Sequence, residues 1–311
     1  PADSQTGAQP GGAGSLYRSP TGGDYVSGAA KDLSGLSLFE TDSSEKLVNG
    51  PVSVRKTNDG HYRMSLLYRL PSVNGGDVSN IASYNSEYAV VYDFYPNGVI
   101  NVSSAYALNY GAASPLSISS LLTMSPSLTN AMWYGRGPGE TYGDKLYDST
   151  VDVFSSPVSK LMPSYLFASG GDRSQTRWLA MTDDSGSGVV ITSDTGNFAF
   201  NMSKLYPSQT AAYASDASEN PFTVLSIIGV QRGCSVPSVS DQAYLSTSSS
   251  IDPGSVHSFS YRIVPVSNGD AASYRAESAR TLSSAGRATV TAKTLADGQN
   301  YSLRGLASGM Y

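Results

Sequence analysis

The stretch Tyr88-Ala89-Val90-Val91-Tyr92-Asp93-Phe94-Tyr95-Pro96-Asn97-Gly98-Val99-Ile100-Asn101-Val102 decides the fold. It reads as two runs of β-branched and aromatic residues joined at Pro96-Asn97-Gly98, a tripeptide with the chemistry of a tight reversal. A second hairpin precedes it. There, Asn58-Asp59-Gly60 separates Val52-Ser53-Val54-Arg55 from Tyr62-Arg63-Met64-Ser65-Leu66. Working outward, further strand-like segments lie at Leu116–Met124, Ala131–Tyr134, Trp178–Thr182, Gly188–Thr192, Asn197–Ser203, Phe222–Val230, Gln242–Leu245 and Val256–Val266. None of the links between them has a helical period, so the pattern predicts an all-β protein, a large antiparallel sandwich.

The composition agrees. Of 311 residues, 40% are hydrophobic and 14% charged, with 31 Gly, 16 Pro and 21 Tyr, which disfavours both charge-driven disorder and a helix-rich fold. Residues 1–30 are Gly, Pro, Ser and Ala with little apolar periodicity and are expected to be a linker. Residues 31–266 form the expected β-sandwich domain. The polar tail 267–311 has one strand-like patch, Arg287–Leu295, and is expected to be an edge strand or a linker to a further module.

A net charge of −5 with scattered basic residues argues against nucleic acid. Cys234 is the single cysteine, which excludes an internal disulfide and multi-thiolate zinc sites. No apolar run is long enough for a membrane span. The composition is that of a secreted or cell-surface protein, and the lack of disulfides points to a bacterial one. Without an initiator Met or an apolar signal region, the chain is expected to be a piece of something longer.

Chemistry is sparsely signalled. His61 follows a turn and His257 lies in a strand, far apart and with no nearby carboxylate pattern, so both are expected at surface or half-buried strand positions. Glu40, Glu45, Glu87, Glu140, Glu219 and Glu277 suggest no catalytic pair, and Asp42, Asp183 and Asp184 read as turn residues. No catalytic residue, metal ligand or cofactor site is predicted.

The densest signal is Asn130-Ala131-Met132-Trp133-Tyr134-Gly135-Arg136-Gly137-Pro138-Gly139-Glu140-Thr141-Tyr142-Gly143-Asp144-Lys145. Its glycines and proline force an irregular backbone. Trp133, Arg136, Glu140, Tyr142 and Asp144 are groups of the kind that bind carbohydrate or dock another domain. The loop is expected to expose Trp133, Arg136, Glu140 and Tyr142, and to be held by packing of Trp133 and by Arg136 or Lys145 pairing with Glu140 or Asp144. The alternative is a rigid turn whose Arg and carboxylates simply pair.

The string from Trp133 to Lys145 resembles the motif that opens the core of the C-terminal small-chain domain of glycoside hydrolase family 2 β-galactosidases. The likeness continues through Pro163-Ser164-Tyr165, Arg173, Arg177-Trp178-Leu179, Phe198-Ala199-Phe200-Asn201-Met202-Ser203-Lys204 and Leu225-Ser226-Ile227-Ile228-Gly229-Val230-Gln231-Arg232-Gly233, covering residues 35 to 266. The resemblance implies a galactose mutarotase-like antiparallel supersandwich. It also implies that the catalytic glutamates and metal ligands lie on a separate barrel domain of a retaining enzyme acting on terminal β-galactosides, with this chain inactive alone. Two departures stand out. Gly233-Cys234-Ser235-Val236-Pro237-Ser238-Val239 runs on without the loop whose Trp reaches the sugar in the family, and Phe167-Ala168-Ser169 replaces its Pro-Gln-Glu segment. The partners implied are a galactoside or other carbohydrate and the remaining domains of the hydrolase. The alternative is a stand-alone carbohydrate-binding or scaffolding module. A mutarotase activity is disfavoured because neither histidine lies in a sugar-binding pattern.

Overall fold

The computed structural model describes residues 13–15, 53–70, 86–108, 115, 117–161, 171–193, 196–204, 219–233, 251, 254–279 and 293–294. The chain divides into two compact units, each discontinuous in sequence. One comprises Pro1–Ser44, Ser114–Arg177 and Asn197–Ile251, the other Glu45–Ala113, Trp178–Gly196 and Asp252–Tyr311.

The first unit holds β1 (Ala13–Ser15), β6 (Ser117–Met124), β7 (Asn130–Gly137), β8 (Thr150–Pro157), β9 (Arg173–Thr176), β12 (Phe198–Ser203) and β13 (Thr223–Gln231). Five of them form a sheet in the order β1-β6-β13-β12-β9, every neighbour antiparallel. β7 and β8 form a hairpin, with Trp133 opposite Phe154 and Arg136 opposite Val151, and a 3-10 turn, Val158–Lys160, follows it. Ile118, Leu121, Phe200, Leu225 and Ile227 are buried in this unit, with Trp133 among them. Within the segment 1–30, expected to be a linker, Ala13–Ser15 is instead a strand paired with Ser119–Leu121. Three small residues suffice, because strand pairing is a backbone interaction that needs no apolar alternation.

The second unit holds β2 (Ser53–Lys56), β3 (Tyr62–Leu70), β4 (Ser86–Phe94), β5 (Ile100–Leu108), β10 (Trp178–Thr182), β11 (Gly188–Ser193), β14 (Ser255–Val266) and β15 (Lys293–Thr294). Its strands run β2-β3-β4-β5-β14-β11-β10, again antiparallel, with β15 on β14. Both deciding hairpins close as the turn residues require. Tyr95 N–H donates to Val99 O at 2.9 Å and Gly98 N–H to Tyr95 O at 2.9 Å, with Gly98 at φ +83°. Gly60, at φ +91°, serves the first hairpin in the same left-handed conformation. Cross-strand tyrosines fill one face: Tyr68, Tyr88 and Tyr106 are in register on β3, β4 and β5, with ring centroids 5.5 Å and 4.3 Å apart. Burial raises the hydroxyl pKa of Tyr92, two rows along the same face, well above the ordinary tyrosine value.

The tail expected to be polar carries α1 (Ala271–Ala279), the one helix of four residues or more among the described residues. Asp270 caps it. Its Oδ1 accepts Ser273 N–H at 2.9 Å while Ser273 Oγ accepts Asp270 N–H at 2.7 Å, a reciprocal box that satisfies two orphan donors. The expected strand at Gln242–Leu245 lies outside the described residues. The class is all-β and antiparallel.

Candidate functional site

The glycine-rich segment after β7 lies wholly within the first unit. Trp133, on β7, is 1% exposed, tilted against Phe154 and edge-on to Phe200 with centroids 5.5 Å and 5.7 Å away. Its indole N–H donates to Arg136 O at 3.1 Å, which folds the chain back as β7 ends. The Arg173 guanidinium lies 5.3 Å over the same ring. Burial lowers the Arg173 pKa, against the opposing pull of Asp172, Glu140 and Tyr142.

Arg136 does not pair with Glu140 or Asp144. Its Nε donates to Gln175 Oε1 at 2.8 Å, and Nη1 donates to Leu146 O and Ser149 O, each at 3.0 Å, and to Ser149 Oγ at 3.3 Å. The planar fork of donors spans several acceptors at once, the Leu146 and Ser149 carbonyls and the Gln175 amide. The ion pair expected of Lys145 exists: Nζ lies 3.5 Å from Glu140 Oε1, with side chains 41% and 23% exposed. The other Glu140 oxygen accepts Gly171 N–H at 3.0 Å.

The expectation that the loop exposes its chemical groups holds only in part. Tyr142 and Asp144 are buried, at 1% and 3%, as Trp133 is, while Arg136 and Glu140 are half-buried. Thr141 lies between them and ties the loop to β9, since its N–H donates to Asp172 O at 2.7 Å and its Oγ1 accepts Ser174 N–H at 2.8 Å. Behind it the buried Asp172 carboxylate accepts Asn201 Nδ2 at 2.9 Å and Gln231 Nε2 at 2.7 Å. Glu140, Thr141, Asp172, Arg173, Asn201 and Gln231 thus form one polar knot drawn from four separated stretches of chain. Asp172 was not singled out by the sequence, and Asn201 and Gln231 lie in the stretches that carry the resemblance without being marked as site residues, because the Asp172 carboxylate that joins them arrives from a distant part of the chain. The aromatic groups of this region that reach solvent are Tyr134, 37% exposed, with the Arg177 guanidinium 5.2 Å over its ring, and Tyr147, 82% exposed.

A second polar cluster lies in the other unit. His61, expected at a surface or half-buried position without a carboxylate nearby, is 1% exposed. Its Nδ1 lies 2.8 Å from Asp59 Oδ1 and its Nε2 3.2 Å from Asp93 Oδ1. Arg63 Nε and Nη2 donate to the two Asp93 oxygens at 2.6 Å and 2.9 Å, and the Tyr95 ring stacks on the imidazole at 4.7 Å. Asp59 stands two residues before His61 and reads from the sequence only as a turn residue, while Asp93 arrives from the next strand as the cross-strand partner of Arg63, so neither carboxylate signalled a pair. His257 is half-buried and lies 2.6 Å from Ser255 Oγ on the same strand.

The sequence profile described as beta galactosidase small chain matches residues 10–262. The chain belongs to the β-galactosidase small chain family. Relatives of this small chain include a β-galactosidase of Priestia megaterium, 28% identical over 33% of this chain and 10% of the relative. The β-galactosidase of Lactobacillus delbrueckii subsp. bulgaricus is 29% identical over 36% and 11%, and β-galactosidase BgaC of Bifidobacterium adolescentis 37% identical over 26% and 8%. The small chain thus aligns with about a tenth of the length of the curated relatives it matches. Among solved structures, the GalM/aldose epimerase homologue from C. elegans aligns over 69% of this chain and 68% of its own, at 9% identity and a TM-score of 0.38. A galactose mutarotase-like protein from Clostridium acetobutylicum aligns over 69% and 66%, at 10% identity and a TM-score of 0.35. No helix among the described residues of this small chain is long and apolar enough to cross a membrane.

Proposed function

We propose that this chain is the non-catalytic small-chain domain of a glycoside hydrolase family 2 β-galactosidase, secreted or displayed by a bacterium. It acts in the architecture around an active site held elsewhere. The parent hydrolyses terminal β-galactosides with retention, using two carboxylates of another domain. The observation that carries this reading is the burial of the motif's own groups. Trp133, Tyr142 and Asp144 face the interior of the unit, and Arg136 is engaged by backbone carbonyls. Groups held this way position a backbone and are not available to a substrate. Glu140 is engaged by Lys145 and Gly171.

The test is an assay of the purified chain with a chromogenic β-galactoside. No turnover is expected. Hydrolysis that survives stringent purification and disappears in Glu140→Gln would overturn the reading.

A further inference from the structure

The exposed aromatic pair of the second unit lies far along the sequence from the motif. Lys56, Tyr62, Phe94 and Ile100 are in register across β2, β3, β4 and β5, so their side chains share one face of the sheet. The next row on that face is sealed at its centre, where Tyr92 is 7% and Val102 0% exposed. Toward β2 the face opens. Tyr62 is 53% exposed, Phe94 37% and Val54, in the sealed row's outer position, 64%. These three are the exposed large apolar side chains among the described residues of this unit.

Two half-exposed rings and a valine offer on the order of 300 Å² of apolar surface. A stable protein interface takes roughly 800 Å² from each partner, of which a little over half, about 450 Å², is apolar, so the patch among the described residues falls short of one. It matches a sugar. The C–H face of a hexose stacks on an aromatic ring while its hydroxyls take hydrogen bonds at the edge. Both kinds of group are present, because the Tyr62 hydroxyl donates and accepts and the Lys56 ammonium, directly across the strand pair from Tyr62, donates.

We propose that Tyr62 and Phe94, with Lys56 beside them, form a stacking platform for hexose units of an oligosaccharide. The platform goes beyond the architectural role and rests on it only for the choice of sugar. The experiment is calorimetric titration of the 311-residue chain with lactose, alongside affinity electrophoresis through gels containing β-1,4-galactan. Saturable, millimolar-range binding is expected. The Tyr62→Ala/Phe94→Ala double variant should weaken it at least about tenfold with an unchanged circular dichroism spectrum, and Tyr134→Ala/Tyr147→Ala should leave it unchanged. If the first variant does not fold, ring-proton shifts of Tyr62 and Phe94 in the wild-type chain on adding lactose give the same decision. The platform is refuted by an absence of response up to about 100 mM lactose together with no retardation in galactan, or by wild-type binding in the folded Tyr62/Phe94 variant. Loss of binding only in the Tyr134/Tyr147 variant also refutes it, by moving the sugar to the other unit. Neither readout involves hydrolysis, so its failure leaves the architectural role standing.

Discussion

Gly233 packs its Cα directly against the carboxylate of Asp144, leaving no room for a Cβ. The two residues lie 89 positions apart, and their contact seats the end of β13 on the glycine-rich loop. Because Asp144 is buried and short, its carboxylate has little freedom to move aside. Gly233→Ala should therefore destabilise the chain by about 1–3 kcal/mol, as overpacking does. Urea unfolding of Gly233→Ala, Asp144→Ala and the double variant measures the coupling. A coupling energy of zero would show that the two do not touch in solution.

The motif's other glycines should divide sharply. A Cβ on Gly135 would lie 2.8 Å from the Thr176 Cα, in the backbone of β9, whereas Gly139 and Gly143 have nothing within 4 Å. Backbone yields less readily than a side-chain tip. Gly135→Ala should cost at least about 2 kcal/mol, while Gly139→Ala and Gly143→Ala stay within about 0.5 kcal/mol of wild type. Equal unfolding midpoints for all three would contradict the packing of β7 against β9.

The hairpins were legible because their turns carry local chemistry. Asn58-Asp59-Gly60 and Pro96-Asn97-Gly98 specify a reversal whatever the rest of the chain does. β9 was not legible. Arg173, Ser174, Gln175 and Thr176 have no apolar alternation, yet three of the four are buried, Ser174 by hydrogen bonds to Thr141. β8 escaped for the opposite reason, since Val151 and Val153 are strand formers left exposed on a hairpin. α1 is two and a half turns of Ala-rich sequence whose start signal, Asp270 with Ser273, is a capping box too short of apolar periodicity to stand out. At the site, the sequence located the loop and its five chemical residues. It could not tell which of them face inward, because Phe154, Phe200, Arg173 and Gly233, which enclose Trp133 and Asp144, arrive from distant strands.

Arg136 and Lys145 should differ in kind. Removing the Arg136 guanidinium strips donors from Leu146 O, Ser149 O and Gln175 in a half-buried setting, so Arg136→Ala should cost about 1–3 kcal/mol. Arg136→Lys should recover little, because a single ammonium cannot span the same acceptors. Lys145→Ala loses a half-buried pair whose lysine side chain is 41% exposed and whose ammonium stands 3.5 Å from one carboxylate oxygen, and should cost under about 1 kcal/mol, shrinking with added salt. Thermal midpoints at low and high salt check the ranking. An Arg136→Lys protein as stable as wild type would show that the fork geometry is irrelevant.

Acid should loosen three turns together. Asp59 is held below the ordinary carboxylate pKa chiefly by the Thr57 hydroxyl, Asp183 by the Ser185 hydroxyl and Asp270 by the Ser273 backbone N–H. A carboxylate whose folded pKa is depressed binds fewer protons folded than unfolded. Its contribution is therefore complete above the unfolded value, about 3.9, and is lost as pH falls through the lower folded value. The three carboxylates lie at the solvent surface, so each effect is small, but all have the same sign. Urea midpoints should fall as pH drops below about 4, and Asp183→Asn should flatten that fall while lowering stability at neutral pH. Asp183 accepts Ser185 N–H at 2.8 Å and Ser187 N–H at 3.0 Å, bonds that an amide oxygen makes more weakly than a carboxylate. An acid slope in Asp183→Asn as steep as that of wild type would mean that the turn carboxylate is not titrating against a folded-state partner.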